Sequence, residues 1–238
     1  ARMRYMGPRI YGMGFVMSRQ GGGIGTSGVG ETNTELMKRH WRNEIKKVND
    51  ELGKLSEIRE KRIERRKKEG YKTVSIVGYT NAGKSNLFNK LTGKDVLVEN
   101  ALFATLDSVV GEVYLFELSQ KVLFTDTIGF IRNLPPRLIQ AFKSTLLESI
   151  HADVILHLID ASDHESFEKI KVVEEIIKDL GIDESKVMYV FNKIDKISKA
   201  EIDRLEEDYR QYSPIFISVK ENQGLERLMK EIVIKLNS

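Results

Sequence analysis

The chain has 238 residues, of which 41% are hydrophobic and 31% are charged, and it contains no cysteine. This composition is typical of globular proteins. The lack of cysteine excludes disulfides and thiolate chemistry and fits a reducing cytoplasm, the predicted location. No run of about 18 apolar residues occurs, so no membrane-spanning helix is expected. The first residues lack a secretion signal and an initiator methionine, so we expect the chain to begin inside a longer protein.

Positive charge is concentrated between residues 38 and 72, which hold 14 Lys or Arg against 7 Asp or Glu, a net charge of +7. The rest of the chain holds 24 against 28, a net charge of −4. A basic segment on a mildly acidic body suggests nucleic acid as a partner. A solvated helix face is the commoner origin of such a pattern.

Two segments precede the first predicted strand. Residues 18–31 are rich in glycine, with six glycines from Gly21 to Gly30, and this predicts a loop. Residues 32–69 contain no proline and predict a helix of roughly 57 Å at 1.5 Å per residue. Gly53 marks either a break in this helix or a tolerated residue. Apolar side chains at a spacing of three or four form one stripe, which needs a partner helix to cover it. The stripe consists of Met37, Trp41, Ile45, Val48, Leu52 and Leu55.

From residue 71 onward, apolar β-branched runs alternate with helical patterns. The predicted strands are 73–78, 109–115, 121–126, 154–160, 186–192 and 215–218. The predicted helices are 84–92, 136–150, 166–180, 199–208 and 224–236. This alternation predicts an α/β fold, a mostly parallel sheet with helices on both faces, and strand 109–115 is expected to pair antiparallel at one side. Ligands of such sheets bind at the carboxyl ends of the strands.

A phosphate-binding pattern follows the first of these strands. The run Gly78-Tyr79-Thr80-Asn81-Ala82-Gly83-Lys84-Ser85 fits G-x-x-x-x-G-K-[ST] between a strand and a helix. Backbone N–H groups and the helix N-terminus would bind the phosphates. Lys84 would place its charge between the β- and γ-phosphates, and the Ser85 hydroxyl would coordinate Mg²⁺. The predicted phosphate-site residues are Asn81, Ala82, Gly83, Lys84, Ser85 and Asn86. Alone, this match also fits an ATP site or a structural glycine turn.

The run Asp126-Thr127-Ile128-Gly129 ends another predicted strand. Asp126 is predicted to hold Mg²⁺, mostly through water, and the Gly129 N–H to contact the γ-phosphate. Taken alone, such a run is more often a simple strand exit. Thr105 is the predicted third ligand of Mg²⁺, with Thr80 and Thr92 as nearby alternatives. The predicted catalytic residues are therefore Lys84, Thr105 and Gly129, and the predicted metal ligands are Ser85, Thr105 and Asp126.

The run Asn192-Lys193-Ile194-Asp195 ends a further strand. The Asp195 carboxylate can accept both N1–H and the exocyclic amine of guanine, whereas adenine offers no such pair of donors. The Lys193 stem is predicted to lie along the purine face, and Asn192 to tie this loop to the phosphate loop. Main-chain N–H groups of Ser218, Val219 and Lys220 are predicted to support the base. Three motifs in this order, each at a strand end, predict GTP and GDP as ligands.

Several segments resemble the HflX GTPases of the Obg–HflX group. They are residues 78–85 (GYTNAGKS), 102–107 (LFATLD) and 126–135 (DTIGFIRNLP), and the glycine-rich stretch 18–31 is also similar. The resemblance covers nearly the whole chain. It implies binding to the large ribosomal subunit and its rRNA, and a role in ribosome splitting or recycling, which suits the basic segment.

The resemblance also implies a domain organisation. Residues 1–70 are expected to be the remnant of an N-terminal domain, with a glycine-rich loop at 18–31 and a long helix at 32–69, and residues 71–238 the GTPase domain. The chain departs from the family pattern at positions 27 and 29, where a basic residue and a proline are usual. It departs again at positions 108–110, where the family has proline and threonines.

The predicted activity is hydrolysis of GTP to GDP and phosphate by a monomer. Phe130 stands where some GTPases carry a glutamine that orients water, so a slow intrinsic rate is expected, accelerated by the ribosome. Arg132 is a candidate arginine finger, although a solvated role is the commoner one for such a residue. The alternative is a GTP-gated RNA- or ribosome-binding module in which hydrolysis only resets the state. A third interpretation, an ATPase or small-molecule kinase, is disfavoured by Asp195.

Overall fold

The structure of the chain is a computed structural model. It describes residues 29–94, 109–127, 129 and 146–237, with side chains from residue 38 onward. Several predictions concern residues outside these ranges. They are the glycine-rich loop up to residue 28, the roles of Thr105, Phe130 and Arg132, and most of the helix predicted at 136–150.

The first described element is a helix of 40 residues, α1 (Val29–Lys68). It runs through Gly53 without a break, so the glycine is tolerated there. The prediction that this helix begins at residue 32 is wrong by three residues. Gly30 lies in the first turn of this helix, where the backbone N–H groups have no intrahelical partner. A glycine there costs the helix at most about 1 kcal/mol, so it does not prevent the helix from starting before residue 32. The last turn is basic, and the chain turns away at Gly70, whose φ is 79°.

The chain divides into two compact units. The first contains the part of α1 up to residue 59. On it, Val48, Leu55 and Ile58 are exposed, with 37%, 50% and 48% of their surface accessible. The second unit contains the end of α1 from residue 60 and all of the sheet described below.

The second unit is built on a six-stranded sheet in the order β2-β3-β1-β4-β5-β6. The strands are β1 (Lys72–Gly78), β2 (Val109–Leu115), β3 (Gln120–Asp126), β4 (Val154–Asp160), β5 (Val187–Asn192) and β6 (Ile215–Phe216). The helices are α2 (Lys84–Thr92), α3 (Ser166–Asp179), α4 (Lys199–Asp208) and α5 (Leu225–Asn237), and residues 146–150 are also helical. Among the described strands, only β2 runs antiparallel to its neighbour, β3. The predicted α/β class and the antiparallel strand at one side are both confirmed.

Helices cover both faces of this sheet. On one face, Phe88 of α2 and Leu228 and Ile232 of α5 pack with the strands in a fully buried core. On the other face, Ile170 of α3 and Tyr209, which follows α4, pack against Tyr189, Phe191 and Ile159. These two layers fix the strands, and the parallel direction brings the carboxyl ends of β1, β3, β4 and β5 to one edge.

The last strand is shorter than predicted. It ends at Phe216 rather than residue 218, because Ser218 exchanges both backbone hydrogen bonds with Gln223 in an isolated antiparallel bridge. Gly224 closes this turn with a φ of 72°. The chain therefore turns back at the sheet edge that carries the predicted motifs, and Ser218 lies at that turn.

Candidate nucleotide site

The loop between β1 and α2 has the backbone that a phosphate cradle needs. Gly78 and Gly83 have φ values of 150° and 98°, and Asn81 has a φ of 65°. A Cβ atom at Gly78 would collide with the carbonyl oxygen of Leu158 on β4. Gly83 is the N-cap of α2, and no side chain caps this helix end. The first turn of α2 therefore directs its N–H groups and the positive end of its dipole at the loop.

Lys84 is buried inside this loop, with 7% of its surface exposed. Its Nζ donates to the Tyr79 carbonyl oxygen at 2.9 Å. Burial lowers the pKa of Lys84 to about 8, and the nearby Asp126 carboxylate opposes this shift. A buried ammonium group favours the binding of an anion, because a phosphate would replace the interactions with water that burial removed.

The predicted metal ligands Ser85 and Asp126 lie together. Ser85 Oγ donates to Asp126 Oδ2 at 2.6 Å, and Asp126 is completely buried at the end of β3. The register that pairs Asp126 with Ile76 of β1 sets this position, and Thr127 Oγ1 strengthens it by donating to the Ile76 carbonyl at 2.7 Å. Both oxygens are hard donors of the kind that Mg²⁺ prefers.

Gly129 lies against the same loop. A Cβ atom at this position would lie 2.9 Å from Lys84 Nζ and 2.8 Å from Thr80 Cγ2. A side chain at this position would therefore have to displace the Lys84 ammonium or the Thr80 side chain. Of the three predicted catalytic residues, the structure brings Lys84 and Gly129 together, and the position of Thr105 lies outside the described residues.

Asn192 joins three loops. Its Nδ2 donates to the Ala82 carbonyl at 2.9 Å, and its Oδ1 accepts from the Val219 N–H at 3.2 Å. Asn192 is buried, with 3% of its surface exposed. The phosphate loop, the loop at 192–195 and the loop at 218–220 are therefore connected through one amide side chain.

Asp195 stands beside the loop that begins at Ser218. Ser218 Oγ donates to Asp195 Oδ1 at 2.6 Å. The same Ser218 oxygen accepts from the Glu221 N–H at 3.1 Å. The Ser218 hydroxyl holds the pKa of Asp195 below its usual value, and Lys220 and Lys196 add smaller effects. The carboxylate therefore stays ionised at neutral pH, which is the form that accepts two hydrogen bonds.

Lys193 reaches back over the phosphate loop. It has a left-handed backbone with a φ of 67°, and its Nζ donates to the Asn81 carbonyl at 2.8 Å and to Asp160 Oδ2 at 2.6 Å. Sequence reasoning missed Asp160. The available signal was a carboxylate at the end of β4, in register with Asn192 at the end of β5.

Two cavities lined by described residues of the second unit differ in their position relative to the predicted site. A cavity of about 20 Å³, lined by Tyr79, Ala82, His157 and Asp160 among others, lies beside the phosphate loop. A cavity of about 810 Å³ includes Val187 and Ile215, the first residues of β5 and β6, in its lining. None of the predicted site residues lines the larger one. The larger cavity therefore lies at the first residues of these strands, whereas the predicted motifs lie at the carboxyl ends. It is not the candidate nucleotide site.

The sheet order, the phosphate loop after β1 and the connected loops at 192–195 and 218–220 define the class of P-loop GTPase folds. Residues 73–193 match the family described as "50S ribosome-binding GTPase", and residues 1–66 match the "GTP-binding GTPase Middle Region". The chain is 46% identical over 98% of its length to GTPase HflX of Caldanaerobacter subterraneus subsp. tengcongensis. It is 37% identical over its whole length to GTPase HflX of Escherichia coli. The chain belongs to the HflX GTPase family.

The chain spans about half the length of these curated relatives, 52% and 55% respectively. Among solved structures, it is similar to a GTP-binding protein from Sulfolobus solfataricus in complex with GDP. The TM-score is 0.62 at 27% identity, over 99% of this chain and 64% of that one. It is also similar to Era in complex with MgGDPNP and a segment of 16S ribosomal RNA, with a TM-score of 0.58 at 27% identity, over 69% of this chain and 56% of that one. None of the helices in the described ranges has the length and apolar composition that crossing a bilayer requires.

Proposed function

We propose that this chain binds GTP with Mg²⁺ and hydrolyses it to GDP and phosphate. The observation that carries the proposal is the double contact of Asn192 with Ala82 and Val219. Through it, the phosphate-binding Lys84 and the base-reading Asp195 belong to one connected site. The GDP complex of the Sulfolobus protein and the family's description as GTPases support the same ligand.

The phosphate end of the site rests on Lys84 and the N-terminus of α2. The Lys84 ammonium would exchange its bond with the Tyr79 carbonyl for phosphate oxygens, and main-chain N–H groups of the loop would bind the remaining oxygens. Ser85 and Asp126 fit Mg²⁺, because a hydroxyl and a buried carboxylate 2.6 Å apart are both hard oxygen donors. Thr105 is proposed as the third ligand. When bound, the cation supplies positive charge that neutralises the phosphates.

Specificity for guanine is assigned to Asp195. Its ionised carboxylate would accept both N1–H and the exocyclic amine of guanine, and adenine would leave it without these donors at a large cost in affinity. The Lys193 stem would lie on the purine face. The main-chain N–H groups of Ser218, Val219 and Lys220 would support the base from the neighbouring loop.

The large ribosomal subunit and its rRNA are the proposed partners, with ribosome splitting or recycling as the biological role. The net charge of +7 between residues 38 and 72, all of it on α1, supports binding to RNA. The family described as "50S ribosome-binding GTPase" and the RNA complex of Era point the same way. A ribosomal partner would place the protein in the cytoplasm, and we propose that it acts there as a monomer. The proposed division is an RNA-facing region at residues 1–70 and a GTPase domain at 71–238.

Phosphate release tests the proposed chemistry. The chain should release phosphate from GTP slowly, not from ATP, and only with Mg²⁺ present, and large ribosomal subunits should raise the rate. Lys84→Ala should abolish release, whereas Lys90→Ala, an exposed lysine on the same helix, should leave the rate unchanged. Equal turnover of ATP, or a high basal rate that ribosomes do not change, would overturn the proposal.

A GTP-gated binding module is the second candidate function, favoured by the same basic helix. In this case hydrolysis only resets the state of the protein. Cosedimentation with large subunits, followed by a splitting assay on whole ribosomes, separates the two candidates. If a non-hydrolysable GTP analogue supports a single round of splitting as fully as GTP does, hydrolysis only resets the state, whereas binding of the analogue without splitting would show that hydrolysis drives splitting.

A further inference from the structure

Asp160 stands at the end of β4 between the phosphate loop and the predicted guanine loop. Its Oδ2 accepts from Lys193 Nζ at 2.6 Å, and its Oδ1 accepts from the N–H and the hydroxyl of Ser162 at 3.0 and 2.7 Å. Only 18% of the Asp160 side chain and 19% of the Lys193 side chain are exposed. The carboxylate is therefore held on one side by its own turn, and it presents its other oxygen to Lys193.

Lys193 depends on this carboxylate for its direction. Its left-handed backbone turns the side chain back from the end of β5, and the ammonium finds two acceptors, the Asn81 carbonyl and Asp160. A long lysine side chain loses considerable rotamer freedom when it is fixed in this way. Charge-assisted hydrogen bonds in a partly dry site are strong enough to offset that loss. Without the carboxylate, one neutral carbonyl would remain as the acceptor.

We propose that Asp160 is a positioning residue for recognition of the purine base, acting through Lys193. It holds the lysine stem across the phosphate loop as a flat apolar support on which the base rests. This inference rests on the proposed binding of guanine nucleotides, and it adds a residue that none of the three motifs contains. Asp160 touches neither the phosphates nor the hydrogen-bonding edge of guanine in this account, so its effect should depend on the presence of a base.

The first test compares a ligand with a base and a ligand without one. Asp160→Asn keeps the shape of the side chain and removes its charge. We expect it to weaken GDP binding on the order of tenfold, mainly through faster dissociation, because the charge-assisted bond to Lys193 is lost. Binding of inorganic tripolyphosphate, which lacks a base, should stay within twofold of wild type. Glu148→Gln is the matched control: it breaks another partly buried ion pair, with Arg66, and should leave both affinities unchanged.

A double-mutant cycle tests whether the effect passes through Lys193. Lys193→Met keeps an unbranched apolar stem and removes the ammonium. Once Lys193 is Met, Asp160→Asn should add little further loss in GDP affinity, because the pair acts as a unit. Equal losses for GDP and tripolyphosphate, full additivity of the two substitutions, or unchanged GDP binding in Asp160→Asn would each overturn the inference. Failure of the wild type to bind GDP would instead overturn the proposed function.

Discussion

A Cβ atom placed on Gly83 would lie 2.5 Å from Nδ2 of Asn192. The same nitrogen donates to the carbonyl of Ala82, so the close approach of backbone and amide at this point joins the phosphate loop to the loop at 192–195. The last glycine of the phosphate-binding pattern is therefore needed for two reasons: its φ of 98° and the space that Asn192 occupies.

Gly83→Ala should consequently lose at least about tenfold in GDP affinity, because Asn192 must move and the loop backbone is strained. Gly181→Ala is the control. Its φ of 69° imposes similar strain, but nothing lies within 4 Å of the added carbon. That variant should lose about 1–2 kcal/mol of stability and retain its GDP affinity, as measured by fluorescence titration. Equal affinity losses in both variants would show that strain, and not the contact with Asn192, governs binding.

Lys84 should make nucleotide binding depend on pH. Burial lowers its pKa to about 8, so above pH 8 much of the unliganded protein carries a neutral lysine. Phosphates favour the charged form and raise the pKa again, so binding takes up a proton and affinity falls as pH rises past 8. Calorimetry at pH 8.5 in buffers of different ionisation enthalpy should show uptake of more than half a proton, and little uptake at pH 7. No uptake at pH 8.5 would contradict the assignment.

His157 should weaken the fold in acid. Burial on β4, helped by the charge of Lys84, lowers its pKa to about 3, and its Nδ1 has no hydrogen-bond partner among the described residues. The unfolded chain binds a proton below pH 6.5 and the folded one does not, so stability falls as pH drops from 6.5 towards 3. At pH 5 the loss from this group is about 2 kcal/mol.

His157→Phe keeps a ring against Tyr189, whose centroid is 5.3 Å away, and cannot titrate. Urea unfolding at pH 7 and pH 5 should therefore show a smaller difference in the free energy of unfolding for this variant than for wild type. If the free energy of unfolding falls by the same amount in both proteins between pH 7 and pH 5, His157 does not cause the loss of stability in acid.

Two neighbouring arginines at the end of α1 should differ in their effect on stability. Arg66 makes a bidentate pair with Glu148 at 3.0 Å, and only 24% and 9% of their side chains are exposed. Arg65 pairs with Glu69 at 2.8 Å, where both side chains are largely exposed. Arg66→Ala leaves a buried carboxylate without its charge partner and should cost about 1–3 kcal/mol. Arg65→Ala should cost less than about 0.5 kcal/mol. Thermal unfolding of the two variants checks this, and equal shifts would contradict it.

Much of the fold could be predicted because its signals are local. The bounds of β2, β4, α2 and α4 coincide with those expected from apolar runs and helical spacing. The end of β6 could not be predicted, because the backbone of Ser218 bonds to Gln223 across a turn and leaves the ladder. The start of α1 was misplaced because glycine is a poor guide within the first turn of a helix.

The candidate site could also be predicted only in part, where its signals are local in the sequence. The three motifs mark their own strand ends, so the proximity of Ser85 to Asp126 and of Asn192 to Ala82 follows from the parallel sheet. The contact of Asp160 with Lys193 does not follow from any spacing along the chain. It depends on the register of β4 against β5 and on the left-handed backbone at position 193, and both are properties of the folded chain.

The base preference of Asp195→Asn tests directly whether this carboxylate selects guanine. Ser218 Oγ donates to Asp195 Oδ1, and an asparagine oxygen can accept the same bond, which leaves its amide N–H₂ for the base. Xanthine has a carbonyl where guanine has its exocyclic amine, so the variant should prefer xanthosine diphosphate to GDP by at least about tenfold, while the wild type shows the reverse order. Titration of both proteins with both nucleotides in the presence of Mg²⁺ measures this. Unchanged preference for GDP in the variant, or ATP binding as tight as GTP binding in the wild type, would show that Asp195 does not select guanine.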